Sequence, residues 1–275
     1  MGEKVGSNSD IQLVGQTAST NELALAAIDD GAPAGTAFVA DCQTAGRGRR
    51  STGGERRAWF SPPGKNLYLS VVVRPNVDVA AASGITLAVG AVLVELLRET
   101  TGVDVQLKWP NDLYANDRKL GGILTEATSG AGGLKAAVVG LGLNVNVGTD
   151  EFPEPLRPVA TSLYAESEQR HDRMSLALRI IDAVIGAADE FESRGLAAFS
   201  QRLQQWNYLE GRRVSVDGCP GVADAIGDDG GLVVEFDDGT RRQVVSGEVL
   251  VEGLAHGAKT GDASETEDFD PQEQK

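Results

Sequence analysis

Five of the twelve residues from Gly46 to Arg57 are arginine, in a chain of 275 residues whose formal net charge is -15. The run Gly46-Arg47-Gly48-Arg49-Arg50-Ser51, followed by Thr52-Gly53-Gly54-Glu55-Arg56-Arg57, sets five positive charges against one negative charge. Such crowding costs self-repulsion unless an anion sits among the guanidinium groups. The alternating glycines let the backbone approach a ligand closely, and arginine's planar fork matches the oxygens of a phosphate or carboxylate. An anionic ligand held by the arginine run is the sharper reading, and a solvated basic loop or a non-specific RNA contact the plainer one. Other reactive side chains offer less. Cys42, Cys219, His171 and His256 lie far apart without metal-ligand spacing, so no protein metal site is expected.

The composition narrows the setting. A hydrophobic content of 41% is enough for a substantial core. Seven lysines stand against eighteen arginines, and the 40 acidic residues are dispersed along the chain. Dispersed carboxylates keep a protein soluble where salt screens them and repel one another where it does not, so the pattern resembles adaptation to high salt. It also argues against general nucleic-acid binding. No apolar run approaches the roughly 20 residues that span a bilayer, and no secretory signal opens the chain, so a cytoplasmic protein without membrane contact is expected.

The arginine loop needs elements to hold it. Ser19-Thr20-Asn21-Glu22 before an apolar run reads as a capping box opening a short helix. Residues 36–42 and 66–74 read as strands on either side of the loop, and 83–99 as a helix. A strand over 104–109 precedes a hairpin with Leu113-Tyr114, the turn Ala115-Asn116-Asp117-Arg118, and a returning strand over 119–126. Residues 136–147 read as a buried strand interrupted by Gly140 and Gly142, where backbone or ligand can approach closely. Helices are expected over 174–191 and 196–206. From Gly211 five short strands separated by Asp-Gly turns predict a small barrel. The expected division is a catalytic unit over 10–208, a small β-domain over 209–256 and an acidic disordered tail over 257–275.

Four separated strings occur in one order: Gln43-Thr44-Ala45-Gly46-Arg47-Gly48-Arg49-Arg50, Lys108-Trp109-Pro110-Asn111-Asp112, Arg118-Lys119-Leu120-Gly121-Gly122-Ile123-Leu124 and Gly140-Leu141-Gly142-Leu143-Asn144-Val145-Asn146. With Ser19-Thr20-Asn21 upstream and a small β-domain downstream, the chain resembles the biotin protein ligases over roughly residues 10–255. The resemblance implies an α+β fold. A mixed sheet packed with helices, as in class II aminoacyl-tRNA synthetases and lipoate ligases, would carry the site on its open face, followed by an SH3-like barrel.

The implied chemistry joins two anions: biotin's carboxylate attacks the α-phosphate of ATP, giving biotinyl-adenylate and pyrophosphate, and a carrier lysine then takes the biotinyl group. Cations already in position must offset that repulsion. By the resemblance Arg47, Arg49 and Lys119 match the family's positions for this task, with Lys119 on the biotin carboxylate and bridging phosphate oxygens. Ser19, Thr20, Asn21 and Gln43 would line the ring end of biotin. Gly46, Gly48, Gly122 and Gly142 would let backbone approach the ligand, and Arg50 would close over it. Trp109 falls in the binding set, although with Pro110 it reads more as fixing the strand end. Asp112 would bind the metal or the attacking amine, and Asn144 would contact adenine or serve as a buried turn residue. Mg²⁺ is expected with the nucleotide phosphates. The implied partner is the biotin carboxyl carrier protein or domain of a carboxylase. A homodimer stays open, and the short stretch before the first strand leaves no room for a helix-turn-helix reader of DNA. A lipoate-type ligase and a non-enzymatic adenylate sensor are the alternatives.

Two positions depart from the family pattern. Relatives commonly carry a tryptophan about four residues after the second loop arginine, whereas here residues 51–58 separate Arg50 from Trp59. Near the C-terminus, Glu252 stands where relatives often have an arginine able to approach nucleotide.

Overall fold

The computed structural model describes residues 10–50, 56–130 and 133–254, so the expected tail and the loop tip Ser51–Glu55 lie outside the described residues. The chain opens with β1 (Ile11–Thr17), α1 (Thr20–Asp29) and β2 (Ala37–Gln43), then the short strands β3 (Arg47–Arg50) and β4 (Arg56–Ala58), and β5 (Leu67–Val73). Helix α2 (Ala82–Thr101) leads into β6 (Gln106–Lys108), β7 (Asp112–Ala115), β8 (Arg118–Gly130) and β9 (Gly133–Leu143). Helices α3 (Leu163–Ser167), α4 (Arg173–Arg194) and α5 (Ser200–Gln205) follow. The described chain closes with β10 (Arg213–Val216), β11 (Cys219–Ile226), β12 (Leu232–Phe236), β13 (Arg241–Val244) and β14 (Val249–Val251).

Seven strands form one mixed sheet in the order β1-β2-β5-β9-β8-β7-β6. The β1–β2 pair is parallel and the others are antiparallel. Every residue of β5 is buried, Ser70 included, which requires cover on both faces. Alternation supplies two sets of side chains. Leu69, Val71, Val139 and Leu141 join Ile85 and Leu93 of α2 and Ile180 and Val184 of α4 in the main core. Phe38, Val72 and Val138 meet Ala24 and Ile28 of α1 on the opposite face. The functional strings collect on this second face, beside the N-terminus of α1.

Helix α1 begins where expected, but its first turn is held differently. Ser19 is the N-cap residue and its side chain makes no cap hydrogen bond, so a capping box does not form. Glu22, the residue that would have reached back to the backbone, instead forms an ion pair with Arg47. A charge-assisted bond to a guanidinium outcompetes one to a backbone N–H. The β7–β8 hairpin does form at the expected turn, with Asn116 and Asp117 at φ 48° and 60°, as a two-residue primed turn requires.

The C-terminal strands form a five-stranded antiparallel sheet in the order β13-β12-β11-β10-β14. Its apolar side chains, among them Val214, Ala223, Leu232 and Val234, belong to the same core cluster as α2 and α4. A further tie joins the two sheets, as buried Trp109 donates its indole N–H to the Gly230 carbonyl at 2.9 Å. Among the described residues no helix is long and apolar enough to cross a membrane.

Candidate active site

A cavity of about 560 Å³ opens on the sheet face that α1 leaves uncovered. The structure brings Ser19, Thr20, Asn21, Gln43, Arg47, Gly48, Arg49, Trp109, Asp112, Lys119, Gly122, Gly142 and Asn144 onto its wall. Gly46 sits behind the wall, where an added Cβ would lie 2.8 Å from Gln43 Nε2 and 2.9 Å from Ser61 Oγ. The side chain of Arg50 lies outside the described residues, as do those of Arg56 and Arg57.

One part of the cavity is built from uncharged groups. Gln43 Oε1 accepts from the Thr20 backbone N–H at 2.9 Å and lies 3.2 Å from the Thr20 hydroxyl. Ser70 Oγ is 2.7 Å from Thr20 Oγ1 and 2.6 Å from Asn21 Oδ1. Asn21 Nδ2 donates to Leu124 O at 3.2 Å and to Glu126 Oε2 at 2.8 Å. Glycine makes this geometry possible, because a Cβ on Gly140 would lie 2.0 Å from Asn21 Oδ1. These residues come from α1, β2, β5, β8 and β9, so the polar set exists only once the sheet is assembled.

The cations stand beside it. Arg47 pairs with Glu22, and its second nitrogen lies 3.8 Å from Glu126 Oε1. Arg49 Nη1 donates to Asn111 Oδ1 at 3.3 Å. Lys119 Nζ lies 2.7 Å from Asp112 Oδ1 and 5.4 Å from the centroid of the Trp59 ring. Lys119 and Asp112 meet because the β7–β8 register shifts between Leu113 and Tyr114. Gly122 opens the space, since a Cβ there would sit 3.3 Å from Asp112 Oδ1. The Lys119 side chain keeps 33% of its surface exposed, and a partly solvated pair of this kind is worth no more than about 1 kcal/mol. An incoming anion can therefore draw the ammonium away from Asp112 at little cost.

Asn144 is 4% exposed and engaged at both ends of its amide: Oδ1 accepts from Asn66 Nδ2 at 3.1 Å and Nδ2 donates to Thr161 O at 2.9 Å. Its present bonds are those of a buried turn residue at the edge of the cavity.

The lengthened arginine loop still delivers its tryptophan. Strands β3 and β4 pair as a hairpin, and Trp59 N donates to Gly46 O at 2.9 Å. The Trp59 ring reaches the cavity over Gly142, where a Cβ would lie 2.7 Å from it. Trp59 Nε1 and Arg47 Nε are buried without a hydrogen-bond partner among the described residues, which leaves two donors for a ligand.

Several wall residues carry no assignment from the sequence. Lys108 Nζ lies 4.9 Å above the Tyr114 ring, whose centroid is 4.7 Å from that of Tyr208. Tyr208 donates to Asp117 Oδ1 at 2.9 Å, and Arg212 both pairs with Asp117 at 2.8 Å and covers the Tyr208 ring. Burial, then the bond to Asp117, raises the Tyr208 phenol above its ordinary value and keeps it a donor. Lys108 was visible within its string; Tyr208 lies some 90 residues from Asp117 with no local pattern to mark it. The segment Ser246–Val251 also borders the cavity, so the C-terminal sheet contributes to its wall. Glu252 instead turns to Arg213, at 3.6 Å.

Residues 14–144 match the model of the biotin/lipoate A/B protein ligase family. The bifunctional ligase/repressor BirA of Escherichia coli is 36% identical over 235 residues, covering 84% of this chain and 70% of that protein. The biotin–[acetyl-CoA-carboxylase] ligase of Mycobacterium tuberculosis is 33% identical over 246 residues, 86% of each chain. Among solved structures, biotin protein ligase from Aquifex aeolicus in complex with biotin and ATP superposes with a TM-score of 0.75 at 28% identity, over 88% of this chain and 98% of that one. Matching strings, a shared fold and an identity sustained over most of both chains establish that this chain belongs to the biotin protein ligase family.

Proposed function

We propose that the protein is an ATP-dependent biotin protein ligase. A biotin carboxylate oxygen attacks the α-phosphorus of ATP, the bond to the β-phosphate oxygen breaks, and pyrophosphate leaves. The amine of a carrier lysine then attacks the activated carbonyl, loses a proton, and displaces AMP as the amide forms. The observation that carries this reading is one cavity that places an amide and hydroxyl set next to Arg47, Arg49 and Lys119. The first set suits a ureido ring, which needs donors and acceptors together, and the second suits the meeting of carboxylate and phosphate. A dithiolane ring has no N–H to place against Asn21, which favours biotin over lipoate. An adenylate sensor would have no use for the Lys119–Asp112 pair.

In this reading Lys119 approaches the carboxylate and α-phosphate, Arg47 and Arg49 hold phosphate oxygens, and Arg50 closes the loop. Trp59 shields the mixed anhydride from water. Asp112, released from Lys119, accepts the proton of the attacking amine. Among the described residues no group of three or more His, Cys, Asp or Glu could hold a metal. A Mg²⁺ would arrive with the nucleotide phosphates, and the Asp112 carboxylate is the protein group that could reach it. Incubation with ATP, biotin and a biotin carboxyl carrier domain should add one biotinyl group to a single carrier lysine, read by mass. An unmodified carrier would refute the ligase reading.

The dispersed acidity supports a salt-adapted protein. Raising KCl from dilute buffer to about 1 M should raise the melting temperature, because screening relieves carboxylate repulsion. An unchanged or lower melting temperature would contradict it.

A further inference from the structure

Glu126 of β8 has no role in the scheme above, yet its side chain is only 20% exposed and stands between the two halves of the site. Its oxygens face different partners. Oε2 accepts from Asn21 Nδ2 at 2.8 Å, and Oε1 lies 3.8 Å from Arg47 Nη2. The second Asn21 N–H goes to the Leu124 carbonyl. Both neighbours of the Asn21 nitrogen are thus pure acceptors, and only one orientation of the amide satisfies them. With that orientation fixed, Oδ1 faces the Ser70 hydroxyl and keeps one lone pair. Ser70 spends its single proton on Asn21, which leaves the Thr20 hydroxyl to donate, to Ser70 or to Gln43 Oε1. The direction of the whole polar chain follows from two groups that can only accept, the Leu124 carbonyl and the Glu126 carboxylate.

We propose that Glu126 is a positioning residue. It fixes Asn21 with its oxygen toward the ring end of biotin and holds Arg47 through the same carboxylate, so that the ureido-recognising groups and the arginine loop are set as one unit. Without it the Leu124 carbonyl alone of the two holds the amide, which then turns more readily to present N–H to a ligand N–H, while Arg47 keeps its pair with Glu22. This inference rests on the biotin reading.

Biotin titration by calorimetry on the full chain, with Glu126→Ala, Asn21→Ala and the double variant, tests it. Glu126→Ala should weaken biotin at least about tenfold, the scale of a hydrogen bond to a charged group. In the Asn21→Ala background the same change should cost less than about threefold, because no amide remains to be oriented. Glu126→Gln retains an acceptor for Asn21 but loses the charge facing Arg47. Its biotin affinity should stay within about threefold of wild type while KM for ATP rises at least about threefold. Additive losses in the double variant, or Glu126→Ala binding biotin within about twofold of wild type, would overturn the proposal. If Glu126→Ala does not fold, Glu126→Gln decides: a wild-type KM for ATP overturns it. A wild-type chain that binds no biotin would remove the functional reading itself, and this inference with it.

Discussion

Lys119→Ala is expected to slow biotinyl-adenylate formation about a hundredfold to a thousandfold at saturating biotin and ATP, with a near-normal melting temperature. Loss of one preorganised group facing developing charge costs about 3 to 4 kcal/mol. The Lys119–Asp112 pair is partly exposed and contributes little to the fold. Two effects combine in the single variant, because removing the ammonium also leaves the Asp112 carboxylate facing the phosphate. Lys119→Ala with Asp112→Asn separates them. If Lys119 acts on the substrates, the double variant stays slow; if it only neutralises Asp112, the rate recovers. Lys119→Arg should rescue poorly, since a planar fork does not replace a compact charge between two oxygens. Single-turnover adenylation measures all three. A normal rate for Lys119→Ala would remove this residue from the mechanism.

Gly140→Ala should weaken biotin binding about tenfold to a hundredfold. The new methyl would lie 2.0 Å from Asn21 Oδ1, far inside the contact distance of a non-bonded carbon and oxygen. Either Asn21 swings off its partners Leu124, Glu126 and Ser70, or β9 shifts against α1. Overpacking of this kind costs typically about 1 to 3 kcal/mol. Gly186→Ala provides the contrast, because a Cβ there meets nothing within 4 Å. Calorimetric titration of both variants checks the point, and wild-type affinity for Gly140→Ala would show that Asn21 does not need its present position.

The strands and helices that carry the site were legible because each has its own local signal. The β-rich apolar stretch around β5 marks a strand, and Asn116-Asp117 marks the turn that returns β8 beside β7. Arg47, Lys119 and Asn21 stood out through their strings. What the chain could not display locally was pairing across the sheet. Glu22 looked like a capping residue because its partner Arg47 is distant in sequence. Glu126 drew no assignment, since neither Asn21 nor Arg47 lies near it along the chain. Tyr208 and Trp59 are placed by the packing of the second sheet and by the β3–β4 hairpin, neither of which has a short-range signature. Glycine carried more information than its composition indicates: Gly140 and Gly142 read as close approaches, and the structure identifies the approaching groups as Asn21 and Trp59.

Biotin-dependent exchange of labelled pyrophosphate into ATP, run in parallel with lipoate and with no acid added, tests the central claim most directly, because it requires reversible adenylation and nothing downstream of it. The account predicts exchange with biotin and background rates with lipoate or without acid. Exchange driven by lipoate, or no exchange with any acid by a protein that is folded at the salt concentration used, would contradict it.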